Sequence, residues 1–414
     1  MKEKFTFFEG NTPTFSHIKQ DNCCGCEACV NACPVDIISM KPNLEGFMIP
    51  YIVPNKCCKC DKCIHVCPVL NYRRNSDLIL DTYAGYATDK DLVFQSSSGG
   101  FFSLIANSFM KQMAPNAYFV GVQWSDDFKY TYHKCSSNLS DLDNFKRSKY
   151  IQSQKGYVFR EIAQLLKSEN KILFVGLPCE VVALKNYLQV EYEDLYTIDL
   201  VCQGPTSPKV MEEYVNVLEN RYKSKIQNMN MRYVKSKPWI PQWINISFTN
   251  NRSYQKVFYE TEIGRAVHIM QRKSCYECKF VGKNRKSDIT LGDYHGADES
   301  AKYYNPYGTS IVIFNTEKGK KIFDLVDRIN YYLCKVSYDD VAKPNPRLVK
   351  SWKPSPLREA FAANLRKDGL LKAVSISWTR KDKLRLVIPY KWRGFIYYVL
   401  RPISKLKNLM IHKK

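Results

Sequence analysis

The sequence has no apolar run long enough to cross a membrane, which takes about 20 consecutive apolar residues. Residues 1–20 also lack the apolar core of a signal peptide. Both absences favour a protein of the cytoplasm, a compartment that keeps thiols reduced. The 16 cysteines of the chain are therefore expected to serve metal or redox chemistry rather than disulfide bonds.

Missing motifs exclude further classes of protein. Neither the dinucleotide fingerprint G-x-G-x-x-G nor the phosphate-binding run G-x₄-G-K-[ST] occurs. Only six histidines are present, and no Ser/His/Asp arrangement stands out among them. Acidic residues are scarce, since 62 Lys and Arg outnumber 40 Asp and Glu and give a formal net charge of +22. Such a charge suits several anionic partners, but no nucleic-acid-binding motif accompanies it, so nucleic acid is not expected.

Two cysteine runs dominate the first part of the chain. Residues 23–34 read CCGCEACVNACP and residues 57–68 read CCKCDKCIHVCP, and each fits the C-x₂-C-x₂-C-x₃-C-P pattern of bacterial ferredoxins with two [4Fe-4S] clusters. The fourth cysteine of each run binds the cluster of the other run. The predicted ligands are Cys23, Cys26, Cys29 and Cys67 for cluster one, and Cys57, Cys60, Cys63 and Cys33 for cluster two. A zinc site would not need two such runs ending in Cys-Pro.

The pattern of the 414 residues predicts three regions. Residues 1–75 are predicted to form a two-cluster ferredoxin domain of the α+β class. Residues 80–345 alternate strands with helices, which predicts an α/β domain with a mostly parallel sheet. Within it, residues 232–259 are expected to form an antiparallel insertion. The strands expected in the main sheet include 171–175, 195–201, 289–291 and 310–314.

A second set of cysteines follows the predicted strands. Cys179 and Cys202 each come directly after a strand, and parallel neighbouring strands end at the same edge of a sheet. Cys275 and Cys278 add a C-x₂-C pair on a loop. Four cysteines favour a third [4Fe-4S] cluster in a chain that already carries two. A structural zinc is the competing interpretation, and a reactive dithiol at Cys275 and Cys278 is a weaker one.

A serine- and glycine-rich run precedes a predicted helix. The run is Ser97-Ser98-Gly99-Gly100, and the helix extends over residues 101–113. Free amides at a helix N-terminus suit a phosphate, although a helix cap with a turn explains the same residues equally well.

These features together resemble the beta subunit of coenzyme F420 hydrogenase and the F420-dependent dehydrogenases. The segments that carry the resemblance are, in chain order, SSGGF at 97–101, SKYIQS at 148–153, GLPC at 176–179, LVCQG at 200–204, the cysteine pair at 275–278 and DITLGDYHG at 288–296. They extend over roughly residues 82–315. The ferredoxin domain at the N-terminus resembles the fused form of the family.

The resemblance implies an FAD-containing domain and supports the cluster at the later cysteines. It assigns Ser97, Ser98, Gly99, Gly100 and Lys149 to the flavin site, and it places Gly292 and Asp293 near the flavin or the cluster. The chain departs from the family at Gln203, where a histidine is common, and at His295, where an aromatic residue is common. Bacterial relatives with this organisation often accompany enzymes of surface-polysaccharide synthesis. Many such bacteria make no F420, so F420 is not carried over as the substrate.

The basic tail, residues 379–414, has eleven basic residues against one acidic residue, with aromatic residues between them. Within the predicted C-terminal segment 346–414, this composition suits the surface of an anionic membrane. A helix packed on its own domain with a solvated basic face is the alternative.

The sequence thus predicts a flavin- and iron–sulfur-dependent oxidoreductase. It would pass electrons between an unidentified small molecule at the flavin and a one-electron redox partner protein. The alternatives are an electron-transfer subunit without its own substrate and a ferredoxin-driven reductase of a sugar-linked metabolite.

Overall fold

The computed structural model describes residues 20–53, 56–73, 79–234 and 239–388. It shows an N-terminal head, a large mixed sheet covered by helices on both faces, and a small antiparallel sheet. Most of the basic tail lies outside the described residues.

The head contains two similar loop–helix units joined by a hairpin. Its elements are α1 (Ala28–Ala32), β1 (Ile38–Pro42), β2 (Met48–Ile52) and α2 (Lys62–His65), and β1 pairs with β2 antiparallel. Both helices begin after a residue in the left-handed conformation, Glu27 with φ 62° and Asp61 with φ 55°. The internal repeat read from the two cysteine runs is therefore also a repeat of backbone geometry.

The large sheet has nine strands in the order β14-β3-β13-β12-β8-β7-β4-β5-β6. These strands are β3 (Asp81–Ala87), β4 (Ala117–Trp124), β5 (Thr131–Ser136), β6 (Ser153–Gln154), β7 (Lys171–Gly176), β8 (Leu195–Leu200), β12 (Ile289–Asp293), β13 (Ser310–Phe314) and β14 (Tyr331–Lys335). The four central strands β12, β8, β7 and β4 are parallel, as the alternating pattern predicts. The prediction of a mostly parallel sheet is nevertheless wrong, because β13, β3, β14 and β5 join by antiparallel pairing. Connections that return along the neighbouring strand, instead of crossing over, make the sheet mixed.

Helices cover both faces of this sheet. They are α3 (Lys90–Phe94), α4 (Phe101–Gln112), α5 (Leu142–Phe145), α6 (Val158–Lys167), α7 (Pro178–Leu188), α10 (Glu317–Phe323), α11 (Tyr338–Ala342) and α12 (Pro346–Val349). One face packs against α3, α4, α5 and α10. The opposite face packs against α6 and α7, and the head joins this layer through Cys26, Ala28 and Val66.

The predicted antiparallel insertion is present. Strands β9 (Ile226–Tyr233), β10 (Trp243–Phe248) and β11 (Ser253–Val257) form a sheet of their own with β10 in the centre. Its apolar face packs against helices α8 (Pro208–Tyr222) and α9 (Glu262–Ile269).

The C-terminal segment begins inside this second core. Helices α13 (Arg358–Asp368) and α14 (Leu370–Ser377) bury Phe361, Leu365 and Val374 there, so this part of the predicted segment 346–414 packs on the second core. The last described helix, α15 (Arg380–Val387), contains the first residues of the basic tail. Within the described ranges, no helix has both the length and the apolar character to cross a membrane.

Candidate functional site

The four cysteines predicted for cluster two meet in one place. Cys57, Cys60 and Cys63 of the second run line a small cavity of about 20 Å³ together with Cys33 of the first run. Cys33 reaches it because the chain turns extended at the end of α1, with φ −71° and ψ 115°. The predicted exchange of the fourth ligand between the two runs is consistent with this arrangement.

The cysteines predicted for cluster one lie deeper. Burial raises the pKa of Cys23 to about 11 and that of Cys67 to about 12. Burial also raises the pKa of Cys29, and charges on Cys23 and Cys67 raise it further. The three thiols pack against the same apolar cluster of the head. Because a cluster is bound by thiolates, binding of an iron–sulfur core at these cysteines would release their protons.

A turn with an N–H···S hydrogen bond recurs at three cysteines. The amides of Gly25 and Lys59 donate to the Sγ atoms of Cys23 and Cys57 over 3.3 Å in both cases. The amide of Gly204 donates in the same way to Cys202 Sγ, at 3.2 Å. The residue that donates has a positive φ each time: 71° at Gly25, 56° at Lys59 and 91° at Gly204. Such bonds tune iron–sulfur clusters, so Cys202 shares a local geometry with two predicted ligands.

The later cysteines border a common cavity, which is compatible with the predicted third site. All four line a single cavity of about 560 Å³, and they are Cys179, Cys202, Cys275 and Cys278. Cys179 is in the first turn of α7 directly after β7, and Cys202 follows β8. Gly204 makes the meeting feasible, since a Cβ there would lie 2.9 Å from Cys275 Cβ. A fifth cysteine, Cys24 of the first run, lines the same cavity and was not predicted.

This cavity also contains polar atoms that lack a partner. Ser274 and Trp352 line it, and neither Ser274 Oγ nor Trp352 Nε1 has a hydrogen-bond acceptor among the described residues. The inorganic sulfides of a cubane are additional acceptors that a single zinc ion lacks, so the spare donors fit a [4Fe-4S] cluster. No group of three His, Cys, Asp or Glu in the described ranges converges closely enough to bind one metal ion.

Two arginines of the main domain hold the head in place. Arg160 donates to the carbonyls of Asn31 and Cys33 at 2.7 and 2.8 Å, on the last turn of α1. Arg272 donates to Cys23 O at 2.9 Å and to Met48 O at 2.6 Å, and it is only 3 % exposed. Hydrogen bonds from charged donors to backbone carbonyls are strong, so these two arginines fix the position of the head on the main domain.

The serine–glycine run lies at the same edge of the large sheet. Its Ser98 hydroxyl donates to Thr309 O at 3.0 Å, and the Gly99 amide donates to Ser310 Oγ at 2.8 Å. Ser310 is paired in register with Asp293 at the end of β12. A Cβ at Gly99 would lie 2.6 Å from the carbonyl oxygen of Gly85, so this glycine is required for packing on β3 whatever the site binds.

Arg232 forms hydrogen bonds with two residues predicted for the flavin site, Ser97 and Asp293. No sequence pattern identifies this arginine as a site residue. Its guanidinium donates to Asp293 Oδ2 at 2.8 Å, to Ser97 O at 2.8 Å and to the Tyr150 hydroxyl at 3.0 Å. Burial opposes the charge, but Asp293 and Tyr150 raise the pKa of Arg232 above its usual range. His295, one of the departures from the family pattern, lies 3.6 Å from Asp293 Oδ2.

Lys149 lies next to this cluster and has no anionic partner among the described residues. Its Nζ contacts three backbone carbonyls at the end of α5, the closest being Lys146 O at 3.0 Å. Burial and the charge of Arg147 lower the pKa of Lys149 to about 7. Arg147 likewise forms no ion pair within the described part of the chain. Two unpaired cations at the serine–glycine run fit an anionic group such as a phosphate.

Residues 148–153 link the two parts of the site. The amide of Ser148 donates to Ser97 Oγ at 2.8 Å at one end of this segment. At the other end, the amide side chain of Gln152 donates to Gly25 O and Met48 O of the head, at 3.3 and 3.2 Å. The serine–glycine run and cluster one are therefore connected through a few covalent and hydrogen bonds.

Two family models match parts of the chain. Residues 169–337 match the model for the C-terminal part of the family "Coenzyme F420 hydrogenase/dehydrogenase, beta subunit", and residues 22–71 match the model "4Fe-4S dicluster domain". A chain of the F420-reducing [NiFe] hydrogenase complex from Methanosarcina barkeri is similar at 15% identity, over 73% of this chain and 94% of its own, with a TM-score of 0.44. The two family models, and not this structural similarity, identify the family of the chain. No curated protein matches the chain.

Proposed function

We propose that this chain, which belongs to the coenzyme F420 hydrogenase/dehydrogenase beta-subunit family in a form fused to an N-terminal 4Fe-4S dicluster domain, is a flavin- and iron–sulfur-dependent oxidoreductase. The observation that carries the proposal is the order of the sites. Segment 148–153 contacts the serine–glycine run through Ser148 and the head through Gln152, and Gln152 also lines the cysteine cavity.

FAD is the proposed group at the serine–glycine run. Ser97, Ser98, Gly99 and Gly100 would surround its phosphates together with Lys149, whose unpaired charge suits them. Gly292 and Asp293 would lie toward the cysteine cavity, because Gly292 packs against Val201, the residue before Cys202. A bound flavin exchanges two electrons with a small molecule and one electron at a time with iron–sulfur clusters. The residues of the chain bind, orient and shield it.

The cysteine cavity is the proposed third [4Fe-4S] site. Cys179, Cys202, Cys275 and Cys278 would each bind one iron. The shared N–H···S turn at Cys202 and the spare donors of Ser274 and Trp352 support iron–sulfur chemistry there.

Electrons would leave or enter through cluster two, the more exposed end of the head. Cys58 and Cys60 are exposed there, whereas the cysteines of cluster one lie against the main domain. Three exposed lysines surround this end, and we call them the lysine rim: Lys56, Lys59 and Lys62. A positive rim favours an acidic one-electron carrier, such as a ferredoxin or a flavodoxin, as the partner.

Analysis of the protein purified without oxygen tests the proposal. Three cubanes predict about twelve irons per chain, whereas two cubanes and a zinc ion predict about eight irons and one zinc. Acid extraction and an absorption spectrum should yield one FAD per chain. Stoichiometric zinc would contradict the third cluster, and clusters without any flavin would show an electron-transfer subunit that has no substrate of its own.

A further inference from the structure

A buried arginine lines the cysteine cavity. Arg285 belongs to residues 279–288, which lead from Cys278 to β12, and it lines the cavity together with the four predicted ligands of the third site. Its side chain is only 2% exposed. An arginine side chain stays cationic in proteins, and burial of a charge is costly unless the charge is balanced. The way in which this charge is balanced therefore matters for the group that the cavity holds.

The guanidinium of Arg285 is anchored to its own loop and to the large sheet. Its Nε donates to Gly282 O at 3.2 Å, and its Nη1 donates to Asp199 Oδ2 at 3.4 Å. Asp199 lies in β8 and is fully buried. The far end of the loop is held by the same strand, because the amide and the hydroxyl of Thr197 donate to Asp288 Oδ2 at 2.8 and 2.7 Å. Strand β8 therefore fixes the position of Arg285 beside the cavity.

The charge of Arg285 is balanced less completely than that of two other buried cations that line the cavity. Arg358 forms a bidentate ion pair with Glu45, at 2.9 and 2.7 Å. Lys155 forms an ion pair with Glu180 and two further hydrogen bonds. Arg285 has a single, longer contact with a carboxylate, and its Nη2 donates no hydrogen bond to the described residues. Part of its positive charge and some of its donors thus remain available to an anionic group in the cavity.

We propose that Arg285 tunes the third [4Fe-4S] site, because its incompletely balanced charge raises the reduction potential of the cluster. The inference rests on the proposed function, since it requires a cluster at the four cysteines. A [4Fe-4S] core bound by four thiolates is an anion, and reduction adds one more negative charge. A buried cation beside it favours the reduced form, and the carboxylate of Asp199 opposes this effect. One electron enters or leaves the cluster, while Arg285 and Asp199 exchange no proton and form no covalent bond.

Four variants of the full-length chain test this role: Arg285→Met, Arg285→Lys, Asp199→Asn and the control Arg221→Met. Iron and sulfide are measured per chain, and the cluster potentials are measured by redox titration followed by electron paramagnetic resonance. The signal of the third cluster is assigned by its absence from Cys275→Ala. Arg285→Met should retain all iron while lowering the potential of this cluster. We expect about a tenfold change in the equilibrium constant for its reduction, which corresponds to about 59 mV for one electron. Asp199→Asn should raise the potential, because it removes the opposing charge.

The opposite signs separate an effect of charge from damage to the fold. Arg285→Lys keeps the charge and should stay closer to the parent than Arg285→Met. Arg221→Met breaks an ion pair with Glu262 at 2.9 Å, outside the cavity, and should match the parent. An unchanged potential in Arg285→Met, or shifts of the same sign in Arg285→Met and Asp199→Asn, would overturn the inference. If Arg285→Met loses the cluster, Asp199→Asn still decides, because an unchanged or lower potential there would overturn it. A parent protein without a third cluster would instead overturn the proposed function, and this would be evident before any variant is compared.

Discussion

The pH dependence of flavin binding follows directly from the environment of Lys149. Burial and the charge of Arg147 lower its pKa to about 7. A bound phosphate favours the protonated side chain, so flavin should bind most tightly below pH 7 and more weakly above it. With this pKa, Lys149 is roughly 90% protonated at about pH 6 and roughly 10% at about pH 8. The affinity should therefore fall about tenfold over this interval, or about 1.4 kcal/mol.

Titration of flavin-depleted protein with FAD at several pH values, at constant ionic strength, measures this dependence. Lys149→Arg keeps the charge at every pH and should bind FAD with little dependence on pH. Lys149→Gln should bind weakly throughout. Lys146→Gln is the matched control, because Lys146 is a neighbouring cation that is already paired with Asp143 at 2.6 Å. A parent affinity that does not change with pH, or a Lys149→Gln variant that keeps the parent's slope, would refute the reasoning.

Three further predictions concern the surface and the stability of the protein. Reversing the charge of the lysine rim to glutamate should slow reduction by an acidic ferredoxin about tenfold or more at low salt, as stopped-flow absorbance measures. The same reversal at Lys111, Lys167 and Lys372, which are exposed and belong to the main domain, should have little effect. Arg358→Met should lower the free energy of unfolding by about 3–5 kcal/mol, since it breaks a buried bidentate ion pair with Glu45, whereas the exposed Arg366→Met should change little in the same thermal unfolding experiment. A chain without the basic tail should stop co-sedimenting with anionic liposomes, and equal sedimentation of both chains would exclude this role.

Local patterns in the sequence specify the chemistry of the head. The ligand spacing and the left-handed residues of each turn lie within a dozen residues of one another, so a single segment encodes them. The strands that lead to Cys179 and Cys202 were also predictable, because each is a short apolar run followed by a helix. Their meeting at one sheet edge followed from the rule for parallel strands.

The contacts that join these segments to one another depend on packing between distant parts of the chain. Arg232 and Arg272 look like any other arginines of a basic chain, and their roles arise from carbonyls and carboxylates more than 60 positions away. The same holds for Cys24, which lines the same cavity as Cys179 because the head packs on α7. Hydrogen bonds between distant residues leave no periodic trace in the sequence, whereas strands, helices and ligand loops do, because they depend on neighbours along the chain.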